Sequence, residues 1–319
     1  MVWLIGCKGM LGTELSKQLS ENKILWFGSD REVDITDAAA LAKFAQSKNS
    51  DAGRTGAAVT NKAFPEKIEW VINCAAYTAV DKAEEEREAA DAINKRGPEN
   101  IARITRSFGA KMIHISTDYV FDGEANTPYV EDAPKNPQCV YGKTKLAGEE
   151  AVAKEMTQYY ILRTSWLYGF EGGNFVYTMI KAMNKGQPLK VVSDQKGCPT
   201  CTTDLAATVI RIISSSQKAK SLFGKNSALP CGIYNFCGTG VTSWFDFANK
   251  IQELAKKYSR ITAESTIEPC STVDYPTAAK RPTYSALDCS KIQHLLKLKI
   301  PTWQESLEKF IKSDRFKPL

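Results

Sequence analysis

The N-terminal segment constrains the fold most, because a strand, a glycine-rich turn, a helix and a second strand follow one another within it. An apolar run at residues 2–5 leads into Gly6, Gly9 and Gly12, a helical pattern follows, and residues 24–27 form a second apolar run. Glycines at such a turn let the backbone approach a pyrophosphate held at the helix N-terminus. Because the spacing is G-x-x-G-x-x-G, a glycine-rich turn that binds no ligand is the alternative to a pyrophosphate site. The order of elements predicts an α/β fold with a Rossmann-type doubly wound parallel sheet.

Polar side chains follow the second apolar run, where the adenosine ribose lies in such folds. Asp30 can accept hydrogen bonds from the ribose hydroxyls, whereas Arg31 can pair with a 2′-phosphate. Both residues are present, so the sequence leaves NADH and NADPH open as cofactors. Asp34 and Ile35 are expected to cover the edge of the adenine ring.

Two further apolar runs end in small or hydroxyl-bearing residues. The run at 70–74 is followed by four residues that we expect to line the cofactor, Ala75, Ala76, Tyr77 and Thr78. The run at 111–117 ends in Ile115, Ser116 and Thr117. Because ligands of open parallel sheets bind beyond the carboxyl ends of the strands, we expect Ile115 beside the cofactor and Thr117 beside the reacting group.

Tyr141 and Lys145 lie four residues apart in a segment rich in strong helix formers, so both are expected on one face of a helix. A tyrosine can donate a proton to a developing alkoxide, and a nearby ammonium lowers its pKa from the ordinary value of about 10. A Tyr-x-x-x-Lys pattern also occurs on the surfaces of ordinary helices. The glycine turn and the strand that ends in hydroxyls favour the catalytic interpretation, with Tyr141 as the acid.

Composition argues against several classes of function. The chain has 319 residues, of which 43% are hydrophobic and 24% charged, as in an ordinary soluble protein. Because it shows no long apolar run and no basic leader, we expect no membrane span, no secretory signal and a cytoplasmic location. The net charge of +6 is spread along the chain, which argues against nucleic acid as a partner. Cys198 and Cys201 are the only cysteines at metal-binding spacing, so we expect no metal.

The pattern of elements also divides the chain. Residues 47–67 lack clean periodicity and are expected to form an extended surface loop. Residues 1–165 are predicted to form the dinucleotide-binding domain, with 202–238 packing back on it. Residues 166–201 and 239–319 are predicted to form a smaller C-terminal α/β lobe that binds the substrate.

Several longer motifs resemble those of the dTDP-4-dehydrorhamnose reductases, in the extended short-chain dehydrogenase/reductase superfamily. The glycine turn, Thr117 and the pair Tyr141 and Lys145 occur in the order and spacing of that superfamily. The matching stretches span nearly the whole chain and are NCAAYTAVDKAE at 73–84, STDYVFDG at 116–123, RTSWLYG at 163–169, GNFV at 173–176, DQ-x-G-x-PT at 194–200, GIYN at 232–235, TSWFDFA at 242–248 and RP-x-x-S-x-LD at 281–288.

The resemblance implies reduction of the C4 ketone of dTDP-4-dehydro-L-rhamnose by NADPH or NADH. A homodimer is one assembly to test, because the sequence does not give the oligomeric state. Tyr141 would donate a proton to the C4 alkoxide, Lys145 would hold the nicotinamide ribose and lower the Tyr141 pKa, and Thr117 would polarise the carbonyl. The implied cofactor-binding residues are Gly6, Gly9, Met10, Leu11, Gly12, Asp30, Arg31, Asp34, Ile35, Ala75, Ala76, Tyr77, Thr78, Ile115, Tyr141 and Lys145. The implied substrate-binding residues are Thr117, Asp118, Tyr119, Trp166 and Asn174.

One departure from the family pattern and two rival functions remain. Met10 stands where the family usually has Gln, which removes one polar contact near the pyrophosphate. A dehydratase or epimerase of the same superfamily is the first rival. Dehydratases place Asp-Glu after the threonine, whereas Thr117 is followed by Asp118 and Tyr119. A cofactor-binding regulatory subunit without catalysis is the second rival, and the intact Thr117, Tyr141 and Lys145 argue against it.

Overall fold

A six-stranded parallel sheet lies at the centre of the computed structural model, which describes residues 1–50, 67–218 and 229–317. The elements of the first half are β1 (Val2–Ile5), α1 (Met10–Glu21), β2 (Trp26–Ser29), α2 (Ala38–Ser50), β3 (Trp70–Asn73), α3 (Arg87–Asp91), α4 (Gly97–Ser107), β4 (Lys111–Thr117), α5 (Val140–Glu155) and β5 (Tyr159–Thr164). Those of the second half are β6 (Leu167–Tyr168), α6 (Phe175–Met183), β7 (Leu189–Val192), β8 (Lys196–Gly197), β9 (Thr200–Cys201), α7 (Thr202–Lys218), β10 (Gly232–Asn235), β11 (Thr242–Ser243), α8 (Trp244–Lys257), β12 (Ile267–Cys270), α9 (Ser290–Leu296) and α10 (Trp303–Lys312).

The order of the central strands places a crevice where the sequence predicts the cofactor. The spatial order is β10-β5-β4-β3-β1-β2, and all neighbours are parallel. Strand β2 is added on one side of β1, and strands β3, β4, β5 and β10 are added on the other side. The direction in which strands are added therefore reverses between β1 and β3. Ligands of doubly wound sheets bind at such a reversal. A Cβ on Gly6 would lie only 2.8 Å from the Ala75 nitrogen, so the segments that follow β1 and β3 meet there.

Helices cover both faces of this sheet, which explains why its strands consist of continuous apolar runs. Helices α1 and α7 pack together on one face, where the fully buried residues include Leu15, Leu19, Val209 and Ile213. Helices α2 and α4 cover the other face, where they include Leu41, Val71, Ile101 and Ile161. The predicted Rossmann-type fold is confirmed.

A second core, rich in aromatic side chains, lies beside the sheet and joins α6, α8 and α10. Its buried members include Tyr168, Val176, Phe247, Leu307 and Phe310. Side chains cap all three helices at the N-terminus, because the Asn174, Ser243 and Thr302 oxygens accept hydrogen bonds from backbone N–H groups of the first turn. These elements supply the wall that faces the carboxyl end of β4 and β5.

The structure differs from the predicted elements in several places. Strand β2 is displaced by two residues from the predicted run, and α2 continues to Ser50, so the first residues of the predicted loop 47–67 are helical. The rest of that loop, 51–66, lies outside the described residues. Residues 290–300 were assigned to the substrate lobe, yet Ile292, Leu296 and Ile300 are buried in the cluster that packs on the central sheet. Apolar spacing in so short a helix does not say which core it joins.

Within residues 1–50, 67–218 and 229–317, no helix is both long and apolar enough to cross a membrane.

Candidate active site

The glycine turn after β1 forms a backbone cradle at the start of α1. Gly6 has φ +77°, which favours glycine, and a Cβ on Gly12 would lie 2.0 Å from the Gly6 carbonyl oxygen. Helix α1 begins after Gly9 with no side chain capping it and no acidic residue in its first turn. The first N–H groups of a helix that lacks such a cap are available to an anion. The cradle therefore fits the pyrophosphate of a dinucleotide, with Met10 and Leu11 in its first turn.

We expect Gly12→Ala to abolish this fit. The added methyl group must displace the Gly6 carbonyl, so NADPH affinity should fall by at least about tenfold and the free energy of unfolding by about 1–3 kcal/mol. Gly173→Ala is the matched control, because a Cβ there has no atom within 4 Å. Fluorescence titration with NADPH measures the affinity, and equal affinities for the two variants would contradict the assignment of the cradle.

Acidic and basic residues surround the end of β2, where the adenosine side of a dinucleotide would lie. Asp30 is half-buried and accepts hydrogen bonds from the backbone N–H groups of Lys8 and Arg31, each at 2.9 Å. Lys8 Nζ pairs with Glu32 at 3.2 Å. The Arg31 side chain is exposed and makes no ion pair with any residue that the structure describes. A carboxylate and an unpaired guanidinium therefore stand side by side, so the geometry accommodates either a ribose hydroxyl or a 2′-phosphate.

The structure shows the surroundings of the two residues expected at the adenine. Ile35 is buried, and a Cβ on Gly97 would lie 2.5 Å from its Cδ1 atom. Its side chain therefore packs against α4, and its contact with the adenine stays a prediction. Asp34 is exposed, and its Oδ1 atom accepts hydrogen bonds from Thr36 N and Thr36 Oγ1, each at 2.8 Å. Of the Asp34 carboxylate, only the second oxygen remains for the adenine.

Asn94 shapes the segment from Ala75 to Thr78 that follows β3. It is 1% exposed, lies in the π-helical turn Ala92–Arg96, and its Oδ1 accepts a hydrogen bond from Tyr77 N at 2.8 Å. Its Nδ2 donates to Tyr77 O and to Thr144 Oγ1, both at 3.1 Å. The residue thus joins the cofactor side of the site to helix α5. Its distant partners cannot be identified from the sequence pattern.

Helix α5 brings Tyr141 and Lys145 to the carboxyl end of β4, beside Thr117. The Tyr141 ring meets the Tyr119 ring edge-on, with 5.4 Å between centroids. Lys145 is 2% exposed, and its Nζ donates to the Ile115 carbonyl at 2.6 Å. The three residues expected to carry the chemistry are therefore neighbours, next to the crevice between β1 and β3.

The electrostatics of this group differ from the expectation in one respect. Burial raises the pKa of Tyr141 above its ordinary value, and only the interaction with the Thr117 hydroxyl lowers it. Burial also lowers the pKa of Lys145 to about 8, against the opposing effect of Glu149. The expected lowering of the Tyr141 pKa by Lys145 is not found. The Lys145 ammonium donates one hydrogen bond to the Ile115 carbonyl, and the nearby Glu149 carboxylate raises its pKa.

We expect Lys145→Met to lower turnover by about a hundredfold while making the fold more stable at pH 7. The folded pKa of Lys145 lies below its ordinary value, so burial of the charged form destabilises the fold below about pH 8, and this cost disappears as the pH rises toward 10.5. Against the loss of one hydrogen bond, the net gain should be about 1–3 kcal/mol. Urea unfolding at pH 7 and pH 10 measures it. Lys143→Met, at an exposed position of α5, should change neither quantity, and a Lys145→Met protein of unchanged turnover would contradict the assigned role.

Arg281 is a candidate binding residue that the site prediction missed. Its Nη1 donates to the Tyr119 hydroxyl at 3.2 Å, and its Nη2 pairs with Asp81. The contact joins residues 162 positions apart, so no local pattern reveals it. The only signal is the Arg-Pro dipeptide at 281–282. A half-buried guanidinium beside Tyr119 provides a cation for an anionic substrate.

Trp166 and Asn174 were both expected to contact the substrate, and their surroundings in the structure differ. Trp166 is half-buried, has φ +46° and stacks on Trp244 with 3.5 Å between ring centroids. A left-handed backbone at a bulky residue is strained, as is often found at functional sites. Asn174 is buried, and its amide donates to Gly169 O at 2.9 Å and accepts from Tyr177 N at 3.3 Å. Asn174 is therefore the cap of α6, and its contact with the substrate stays a prediction.

Cys198 and Cys201 do not converge on a metal site. The Cys198 thiol lies beside Cys237, whereas Cys201 Sγ accepts a hydrogen bond from Thr203 Oγ1 at 3.1 Å. In the part of the chain that the structure describes, no group of three His, Cys, Asp or Glu side chains is arranged to hold a metal ion.

Comparisons with known proteins agree with the resemblance noted from the motifs. The family model described as the RmlD substrate binding domain matches residues 1–316. A dTDP-4-dehydrorhamnose reductase of Sinorhizobium fredii is 39% identical over 242 residues, which cover 76% of this chain and 79% of that protein. A solved dTDP-4-dehydrorhamnose reductase of Clostridium acetobutylicum is 39% identical with a TM-score of 0.82, covering 97% of this chain and 98% of the other. One of Bacillus anthracis, solved in complex with NADP, is 34% identical with a TM-score of 0.82 and covers 97% of each chain.

Proposed function

Because the chain belongs to the family described as the RmlD substrate binding domain, we propose that it reduces the C4 ketone of dTDP-4-dehydro-L-rhamnose to dTDP-L-rhamnose with NADPH or NADH. The observation that carries the proposal is the meeting of Thr117, Tyr141 and Lys145 beside the crevice that follows the glycine turn. An acid placed next to a dinucleotide cradle suits reduction of a carbonyl.

In the proposed reaction the chain supplies the proton and the geometry. When bound, the nicotinamide supplies the hydride. The Tyr141 hydroxyl donates a proton to the C4 oxygen, and the edge-on packing against Tyr119 holds its ring in place. The Lys145 ammonium lies between β4 and the nicotinamide end of the crevice and binds the ribose there. Thr117 places a second hydroxyl next to the oxygen that accepts the proton.

The residues that would hold the dinucleotide follow the crevice from one end to the other. The turn Gly6–Gly12 takes the pyrophosphate, Asp30, Arg31 and Asp34 take the adenosine, and the segment 75–78 with Ile115 lines the nicotinamide half. The Arg31 guanidinium allows NADPH, and the Asp30 carboxylate allows NADH. We therefore propose that both cofactors are used.

The substrate would lie between the end of β4 and the aromatic wall of the second core. We assign Asp118, Tyr119 and Trp166 to the sugar, and Arg281 to the diphosphate, since a guanidinium binds phosphate oxygens in bidentate geometry. The division of the chain stays a proposal too, with the sheet holding the cofactor and the second core holding the nucleotide sugar.

We expect Arg281→Ala to raise KM for the nucleotide sugar by about 10–100-fold and to lower kcat by less than about fivefold. The guanidinium is assigned to the diphosphate and takes no part in proton transfer, so the loss should appear in KM. Lys280→Ala is the matched control, because Lys280 is exposed and pairs only with exposed Glu124. A large loss of kcat with unchanged KM would contradict the assignment to the diphosphate.

The test of the proposed function is oxidation of NADPH and NADH, followed at 340 nm, with enzymatically prepared dTDP-4-dehydro-L-rhamnose. Conversion to dTDP-L-rhamnose is expected, and the ratio of rates gives the cofactor preference. Nucleotide binding without turnover would favour another 4-keto sugar as substrate or the regulatory subunit, and loss of water or epimerisation would favour the other enzymes of the superfamily. Tyr119 stands where dehydratases place their Glu, so we expect no loss of water.

We further propose that the protein acts in the cytoplasm as a homodimer and binds neither nucleic acid nor membrane. Light scattering after size exclusion tests the homodimer, and a mass of about one chain would contradict it.

A further inference from the structure

The Asp118 carboxyl is a buried acid, and contact with the sugar does not explain its hydrogen bond with Thr117. It is 4% exposed, and its Oδ1 accepts a hydrogen bond from Thr117 Oγ1 at 2.8 Å. Its Oδ2 lies beside the Ser285 hydroxyl, and neither atom has any other hydrogen-bond partner among the described residues. A buried carboxylate with so few partners and no cation beside it is costly, so a specific function is expected of it.

The Thr117 hydroxyl has one proton that it can donate and two lone pairs that can accept hydrogen bonds. The proton is donated to Asp118 Oδ1, and one lone pair accepts from Tyr119 N at 3.3 Å. The Tyr141 hydroxyl lies beside the same oxygen, and the second lone pair of Thr117 is not engaged by any hydrogen bond from Asp118 while that carboxyl is ionised. While Asp118 is ionised, Thr117 therefore has no proton left to donate to a substrate carbonyl. Its expected role in polarising that carbonyl is blocked.

Neutral Asp118 would reverse this arrangement. A protonated carboxyl can donate its own proton to Thr117 Oγ1, and the Thr117 proton is then free to turn toward the substrate. The groups facing Asp118 are Thr117 and Tyr119 of its own segment, Tyr141 of α5, Cys198 before β9, and Ser285. None of them is a cation, so nothing holds the carboxyl ionised except hydrogen bonds. Burial accordingly raises the pKa of Asp118 to about 6.

On these contacts, and on the premise of the proposed function, we propose that Asp118 is a positioning residue that sets the direction in which Thr117 donates its proton. When Asp118 is ionised, the Thr117 hydroxyl donates its hydrogen bond to Asp118, and only Tyr141 donates to the ketone. When Asp118 is neutral, the Thr117 hydroxyl can turn, so that Thr117 and Tyr141 both donate to the C4 oxygen as negative charge develops there.

The first test compares the pH dependence of kcat at saturating substrate in the wild type and in Asp118→Asn. An asparagine amide donates to Thr117 as the neutral acid does, at every pH. The wild-type kcat should fall about tenfold or more between pH 5.5 and 7.5, whereas the variant should stay within about twofold over that range. Asp132→Asn, at an exposed position of the same connection, should keep the wild-type profile. Superimposable profiles for the wild type and Asp118→Asn would overturn the proposal.

A double-mutant comparison shows whether Asp118 acts through Thr117. In a Thr117→Val background the hydroxyl is absent, so Asp118→Asn should change neither the level nor the shape of the pH profile. A merely structural Asp118 would have the same effect with or without Thr117, and that result would overturn the proposal.

Infrared difference spectra separate a failure of this inference from a failure of the proposed function. The spectrum of the wild type minus that of Asp118→Asn, without ligands, should show a protonated carboxyl band that titrates near pH 6. If this band titrates but no turnover of the keto sugar is found, the proposed substrate is wrong and the coupling of Asp118 to Thr117 stands. Absence of the band at all pH values overturns the coupling itself.

Discussion

Replacing Tyr141 with phenylalanine should lower kcat by about a thousandfold while the affinity for NADPH stays within about threefold. The change removes only the hydroxyl that donates the proton, and a general acid contributes about 10²–10⁴ to a rate. The ring itself remains, so its edge-on contact with Tyr119 at 5.4 Å between centroids is preserved. Steady-state kinetics with both cofactors and fluorescence titration of NADPH give the two quantities.

Tyr258→Phe provides the matched control for this experiment. Its hydroxyl donates to Glu308 at 2.6 Å, between α8 and α10, so the variant loses a comparable hydrogen bond with no connection to the reacting atoms. Its kcat should equal that of the wild type. If Tyr141→Phe retained more than about a third of the wild-type kcat, another group would have to be the acid.

Replacing Glu149 with leucine should lower the free energy of unfolding by about 3–5 kcal/mol, because it leaves the buried charge of Arg163 without a partner. Glu149 is 2% exposed, and its oxygens accept from Arg163 Nη2 at 2.6 Å and Nε at 2.9 Å. Ser116 Oγ donates to the same carboxylate at 2.5 Å, so the pair also ties β4 to α5. Urea unfolding followed by circular dichroism measures the loss.

The double variant Glu149→Leu with Arg163→Met distinguishes an unpaired charge from lost packing. Removing both charges should recover most of the stability that the single change loses, since a buried ion pair contributes little beyond matched apolar residues. Glu21→Leu, which breaks an exposed ion pair with Lys17, should change stability little. Equal losses in the single and double variants would show that packing, not the uncompensated charge, dominates.

Local patterns predicted the parts of this molecule whose causes lie within a few residues of one another. The glycine turn with its flanking strand and helix depends on φ values and on a contact between Gly6 and Gly12, six positions apart. The placement of Tyr141 and Lys145 on one face of α5 follows from helical periodicity alone. The hydroxyls at the end of β4 follow from where strands of a parallel sheet end.

Packing decided contacts that local patterns leave open. Asn174 can bind a sugar or cap a helix, and the Gly169 carbonyl and the Tyr177 N–H engage it as a cap. Ile35 was expected over the adenine, and the approach of Gly97 in α4 buries its side chain. Lys145 was expected to act on Tyr141, and its ammonium also donates a hydrogen bond to the Ile115 carbonyl.

By itself, then, the sequence determined the fold class and the family, because periodicity, glycine spacing and motif order can be read directly along the chain. Only the tertiary structure decided that Arg281 contacts Tyr119, that Glu149 pairs with Arg163, and that Asp118 accepts a hydrogen bond from the Thr117 hydroxyl. The physical reason is that hydrogen-bond direction and burial depend on all the atoms around a group. For Arg281 and Tyr119 the two partners lie 162 residues apart, so no local window of the sequence contains both.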